Sequence, residues 1–238
     1  MRKLVSLFSV TGVVLFLLTL QTNLSSCTKE KIIHDTVTVT VTITVPVYDT
    51  SRLTSQPNCN ENEVHLYGAV GNDQSDPTAP EFGAEAWTSG GSNVFMRALL
   101  KFDFTDIPVN ARIVSAKLTL FSNPTPLNGN PPNANFGTDN SMLIQRVTSA
   151  WNKTANWNLL PTSIATDQIV IPHTPLSKLD LVDIDVSKLV SEMVKANNNF
   201  GFLLRLQNEI TYNSRIFCSS KYSDVTKHPK LVVEYAKK

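Results

Sequence analysis

The chain has 238 residues, 42% of them apolar and 17% charged, and a formal net charge of +1. That length suits one ordinary globular domain with extra segments, and the near-balanced charge lacks the basic footprint of a nucleic-acid binder. Attraction to a charged partner has to come from a local patch.

Residues 1–26 read as a targeting segment rather than as fold. Arg2-Lys3 opens it, and Leu4 to Leu20 is an apolar run broken only by Ser6, Ser9, Thr11, Gly12 and Thr19. The run is short of the roughly 20 residues that span a bilayer. Leu24-Ser25-Ser26-Cys27 then resembles a bacterial lipobox, which implies that Cys27 receives lipid and becomes the mature N-terminus. Each buried methylene adds roughly 0.8 kcal/mol, so two or more acyl chains anchor stably. The expected place is the bacterial cell envelope, at the outer membrane or cell surface, with the membrane touched only through the lipid. Loss of Arg2 and Lys3 with the leader leaves 19 basic against 20 acidic residues.

Residues 27–58 read as a tether. Thr36 to Val45 alternates strictly between threonine and a β-branched aliphatic, a pattern that prefers extended backbone. An edge strand and a self-associating ribbon are the alternatives to a stalk. Pro46 interrupts the run, and Arg52 to Asn62 has the composition of a linker.

Residues 59–238 keep one texture, short β runs between turn clusters, which indicates an all-β sandwich or barrel. Val64-His65-Leu66-Tyr67 is a first strand. A Gly/Asp/Pro/Ser-rich loop covers 71–93, with a strand-like stretch from Ala84 to Thr88. Met96, Ala98, Leu100, Phe102 and Phe104 then share one face of a strand, while Arg97, Leu99, Lys101 and Asp103 share the other. That second face is either solvated or in contact with a ligand. Pro108 closes the strand. Ala111 to Phe121 is another strand, Asn123 to Asn140 a long Pro- and Asn-rich loop, and Ser141 to Val147 a strand again. Ser187 stands as the N-cap of the one helix, whose stripe is Leu189, Val190, Met193 and Val194. Asn197-Asn198-Asn199 ends it. Strands follow at Phe200–Gln207, Arg215–Ser220 and Lys230–Tyr235.

Five blocks in order resemble one known family. They are Arg97-Ala98-Leu99-Leu100-Lys101-Phe102-Asp103-Phe104 with Ile107-Pro108; Ala111 to Leu118; Arg146-Val147-Thr148-Ser149-Ala150-Trp151-Asn152 with Thr154 and Trp157-Asn158; Asp185 to Val190 with Asn199-Phe200-Gly201-Phe202; and Ser219 to Asp224 with His228 to Leu231. This resembles the DNRLRE, or disaggregatase-related, domain. The resemblance implies a jelly-roll β-sandwich with one short helix, acting as a non-catalytic carbohydrate-binding module without a cofactor. Its partner would be a polysaccharide, expected to be anionic, such as alginate. The stretches 123–140 and 159–182 depart from the family pattern.

An anionic glycan calls for cations on a fixed surface, Arg as a planar fork and Lys as a point charge. Arg97 and Lys101 share a strand face, as do Arg205 and Gln207. If those strands are neighbours they form a basic floor that Arg215 and Lys221 extend, with Asn208 or Asn213 adding amides; the alternative is separate solvated charges paired with Asp103 or Glu209. Sugar rings stack on aromatics, which makes Trp87 and Tyr222 candidates, whereas Trp151 and Trp157 are expected in the core. Cys59 and Cys218 either pair, in a compartment where a disulfide persists, or remain two partly buried thiols.

No histidine has the spacing of a zinc site. A structural calcium would draw on Asp73, Asp76 and Glu81, or on Asp183 and Asp185, with no EF-hand loop to support it. No Gly-x-Ser-x-Gly elbow, Walker A loop or dinucleotide fingerprint occurs. A lyase would have to recruit Tyr212, His228 and Arg215. The competing functions are therefore an adhesive surface protein that packs on a protein partner and, behind it, a polysaccharide lyase or hydrolase.

Overall fold

A computed structural model of the protein describes residues 50–56, 62–69 and 72–237. The leader, Cys27, the Thr/Val run and Cys59 lie outside the described residues. Within them the strands are β1 (Thr50–Ser55), β2 (Glu63–Ala69), β3 (Asn72–Asp76), β4 (Glu81–Ser89), β5 (Ser92–Leu100), β6 (Arg112–Leu120), β7 (Asn135–Phe136), β8 (Met142–Val147), β9 (Ser163–Ile171), β10 (Leu181–Asp185), β11 (Phe202–Leu206), β12 (Asn213–Cys218) and β13 (Lys230–Ala236). Helix α1 (Ser187–Lys195) stands between β10 and β11.

Two curled antiparallel sheets make the expected sandwich. The smaller runs β1-β13-β6-β10, and the larger has nine strands. Strand β5 is the hub of the larger one. Strand β2 follows one of its edges from Val94 to Leu100. The other edge is shared: β4 pairs with Ser92 to Met96, and β11 with Ala98 to Leu100. From this fork β4 continues to β12 and β7, and β11 to β8 and β9. Both branches feed the main core, Phe82, Ala84, Ala86 and Phe217 from one, Met142, Ile144, Phe202 and Leu204 from the other. The helix seals it with Leu189, Val190, Met193 and Val194, all buried as their spacing predicts.

The inward face of β5 is as read, with Ala98 and Leu100 in the core, but the strand ends at Leu100 rather than at Pro108, and Phe102 is buried in the core beyond the end of β5. Its other face is not solvated. Leu99 is 0% exposed and belongs to a second core with Val64, Leu66, Val147, Ala155 and Leu203. Trp151, Trp157 and Leu160 roof this core, so both tryptophans are structural, as expected. The fit is close: a Cβ on Gly68 would lie 2.1 Å from the Trp157 ring. Burying large rings on a leucine offsets the loss of water from the strand face.

Several readings are corrected. Thr50–Ser55 is not linker but an edge strand paired along β13 from Ala236 to Leu231, so the sandwich begins before residue 59. The 71–93 loop contains β3, and its strand-like stretch from Ala84 to Thr88 is the middle of a longer strand, β4; the stretch 159–182, outside the family pattern, contains β9 and the start of β10. Ser187 is the first helical residue rather than the cap. Its hydroxyl donates to Asp185 Oδ1 at 2.6 Å and accepts the Ala116 N–H at 2.8 Å.

Candidate functional site

At one end of the sandwich three segments converge: 133–138 around β7, 173–177, and 211–213 at the start of β12. They line a groove of about 650 Å³. Its walls carry two exposed rings, Tyr212 at 52% and Phe136 at 36%. Trp87, half-buried on β4, meets both edge-on, with centroids 5.2 Å from Tyr212 and 5.7 Å from Phe136. Such edge contacts add about 0.5–1.5 kcal/mol each beyond area, so Trp87 holds the two rings apart at a set orientation.

The floor is tied by amides. Asn213 accepts the Asp139 N–H at 2.8 Å and donates to the Ile210 carbonyl at 2.9 Å. Gly137 passes so close that a Cβ there would lie 2.0 Å from Asn213 Oδ1, and its φ of +99° suits glycine. Asn140 bonds both ways to Thr174, at 3.0 and 2.9 Å. Asn135 donates to the Leu176 carbonyl at 3.2 Å, while its Oδ1 is buried with no partner. Loops held this way present a pre-organised surface, which lowers the entropy cost of binding.

Beneath the floor lies Arg215, 0% exposed. Its Nε donates to the Asn140 carbonyl at 3.1 Å and its Nη2 to the Pro172 carbonyl, while Nη1 has no partner. Among the described residues no carboxylate forms a salt bridge with it. Burial pulls its pKa down to about 10, which leaves it charged at neutral pH. Arg215 and Phe217 alternate on one face of β12, and that face looks inward. As a direct ligand contact Arg215 is therefore corrected: it sits behind the groove, not in it.

The model of carbohydrate-binding module family 96 matches residues 84–235. The chain belongs to that family. No curated protein matches the chain. The match runs from β4 to β13, so the family-96 module takes in the fork, the helix and the whole groove. Carbohydrate-binding modules bind polysaccharide and are non-catalytic as a class.

Within the module the expected basic floor is only partly assembled. Arg97 and Arg205 do converge, but on one carboxylate. Arg97 Nε and Nη2 donate to Glu209 at 2.7 and 2.8 Å, and Arg205 Nη1 stands 3.9 Å away from it. Arg97 also lies 4.4 Å above the Trp157 ring, a cation–π contact that fixes it further. Lys101 stands 5.9 Å from the Trp151 ring, at the far end of β5. Gln207 is exposed between β11 and β12. Lys221 and Tyr222 follow the other end of β12, roughly 17 Å from Asn213 at the rise of an extended strand. Of the expected residues, Trp87 alone reaches the groove's aromatic wall. The sequence reading missed Phe136, Asn135 and His173, and it considered Tyr212 only as a lyase base.

The lyase trio does not assemble. Tyr212 precedes β12, Arg215 is buried within it, and His228 bonds the Tyr222 carbonyl beyond it at 2.8 Å. Three of the five carboxylates offered for calcium have other duties. Glu81 accepts from Asn123, from Asn128 and from the backbone N–H groups of Leu127 and Asn128, at 2.6 to 2.9 Å. Asp76 holds Thr78, and Asp185 holds Ser187 and Lys117. No group of three metal-ligating side chains occurs among the described residues. Cys218 is a buried free thiol.

Proposed function

We propose that the module binds an acidic polysaccharide, without cleaving it, in the groove between Phe136, Tyr212 and residues 173–177. The observation that carries this reading is the uncompensated Arg215 guanidinium under a floor of amides. A buried charge with no counter-ion projects a positive potential through low-dielectric walls into the groove, and a uronate or sulfate group there meets it. Asp139, next to the first of these segments, stays ionised because Asn208 and Ser141 donate to its oxygens; it is partly exposed, so solvent screens its field more than that of the buried Arg215. The rings supply apolar faces for sugar C–H groups, and Thr138, Asn133 and His173 supply hydrogen bonds. Alginate is the model ligand on the strength of the family resemblance.

The same reading places the module on the bacterial envelope through lipid on Cys27, which a Cys27→Ala variant tests by loss of fatty-acid labelling. Affinity electrophoresis on alginate, pectin and neutral glucans tests the glycan class. Retardation on the acidic gels that weakens with salt supports the proposal, and retardation on the neutral gels alone overturns its charge component. A protein partner is the second reading, favoured by Leu176 and Ile210, each 55% exposed in the loops that form the groove; unretarded migration on every glycan would point to it.

A further inference from the structure

We infer that a second groove, at the opposite end of β5, is a separate binding site for neutral sugar units. Asn62, Lys101, Asp103, Phe104, Asn197 and Asn198 line it, and it encloses about 420 Å³. It lies where helix α1 ends. The Asn197 N–H returns to the Val194 carbonyl at 3.1 Å, and Asn197 turns the chain with a φ of +50°. Asn199 is locked, donating to the Phe102 carbonyl and accepting the Gly201 N–H. Asn198 is different: its Oδ1 is occluded yet has no hydrogen-bond partner. Across the groove the Lys101 N–H holds the Asn62 carbonyl at 2.7 Å, and Asp103 is fixed by the Thr105 N–H and hydroxyl.

This chemistry differs from that of the first groove. Side-chain amides offer a donor and an acceptor in one plane, which matches the paired hydroxyls of a pyranose. The half-buried Phe104 ring supplies an apolar wall. The two charges, Lys101 and Asp103, oppose each other on the same rim, so no net field selects an acid. Strand geometry separates the sites. Asn93, bonded to Thr211 beside the first groove, and Lys101 are eight residues apart, about 26 Å of extended chain. One module would then hold two glycan chains at once, and this inference stands independently of the Tyr212 groove.

Titration of the ¹⁵N-labelled protein with cellohexaose and with mannohexaose tests it. The amide resonances of Asn197, Asn198 and Asn199 should shift saturably with at least one hexaose, and equally in Tyr212→Ala. Asn197 is exposed and glycine tolerates its φ of +50°, so Asn197→Gly should fold normally and bind roughly tenfold more weakly, the loss of one or two hydrogen bonds. The inference fails if neither hexaose moves those resonances, if Asn197→Gly binds as tightly as the parent, or if the shifts vanish in Tyr212→Ala. Failure of the first groove alone would appear as oligouronate titrations that leave the Tyr212 and Phe136 resonances unmoved.

Discussion

Removing the Tyr212 ring separates binding from folding. The side chain is half exposed, and its ring contact is the edge-on one with Trp87 at 5.2 Å. Tyr212→Ala should therefore cost about 0.5–1.5 kcal/mol for the ring contact and roughly 1 kcal/mol for the apolar area of its buried half, each kcal/mol lowering Tm by roughly 2–4 °C for a domain of this size. Binding should suffer at least as much. A ring that forms one wall of the groove fits the profile of a hot spot, worth about 2 kcal/mol or more on truncation, or roughly thirtyfold or more in Kd. Calorimetric titration with an alginate oligosaccharide, paired with a thermal melt of the same sample, reads both quantities. An affinity unchanged within twofold, with the fold intact, would refute the stacking wall. A collapse in Tm well beyond that expected shift would show instead that Tyr212 supports the loops and reads no ligand.

Other outcomes follow from the packing. Leu99→Ala, inside the second core, should lose about 2–5 kcal/mol; a chemical melt indistinguishable from the parent would mean that the outer face of β5 is not sealed. Glu81→Ala strips four donors of their shared acceptor, at about 1–3 kcal/mol for each group left buried and unpaired, and limited proteolysis should then cut within residues 123–128. Glu63 is buried, and burial raises its pKa from 4.5 to about 8 against the pull of its Ser220 hydrogen bonds. The folded state therefore holds that proton more tightly than the unfolded chain, so its contribution is complete below about pH 4.5 and declines as pH climbs to 8. Melts from pH 5 to 8 should show that decline flattened in Glu63→Gln, and equal slopes would argue against it. Glu85 is also pushed up by burial, then by Glu81, and adds to the same trend in the parent.

How much was legible in the sequence depended on whether neighbours along the chain decided the outcome. The inward face of β5 and the stripe of α1 were readable because one sheet or helix face meeting one core is a local rule. Leu99 set among Arg97, Lys101 and Asp103 was a signal that the outer face had a cover, but the cover comes from residues 148–162. The start of β4, ahead of the strand-like Ala84 to Thr88, was hidden by Glu81 and Gly83, poor strand formers; the loop amides that saturate Glu81 lie more than forty positions later. Arg215 could have been placed correctly, since period two puts it with Phe217 on the apolar side. The groove was out of reach. Phe136, His173 and Tyr212 belong to three segments that only the completed fork brings together, and nothing in any one of them marks it as a wall.

The pairing of Thr50 with Ala236 has a consequence for how this module is carried. Entry and exit of the sandwich sit one strand spacing apart, about 4.8 Å. A short loop joining them would allow a circular permutant opened elsewhere, and the whole unit could be spliced into a host protein as a side bead without lengthening the host's backbone path. Any pull transmitted through the N-terminal segment would arrive first at the edge rungs between β1 and β13, so the rest of the sandwich could keep its grip on a glycan while that outermost strand unzips.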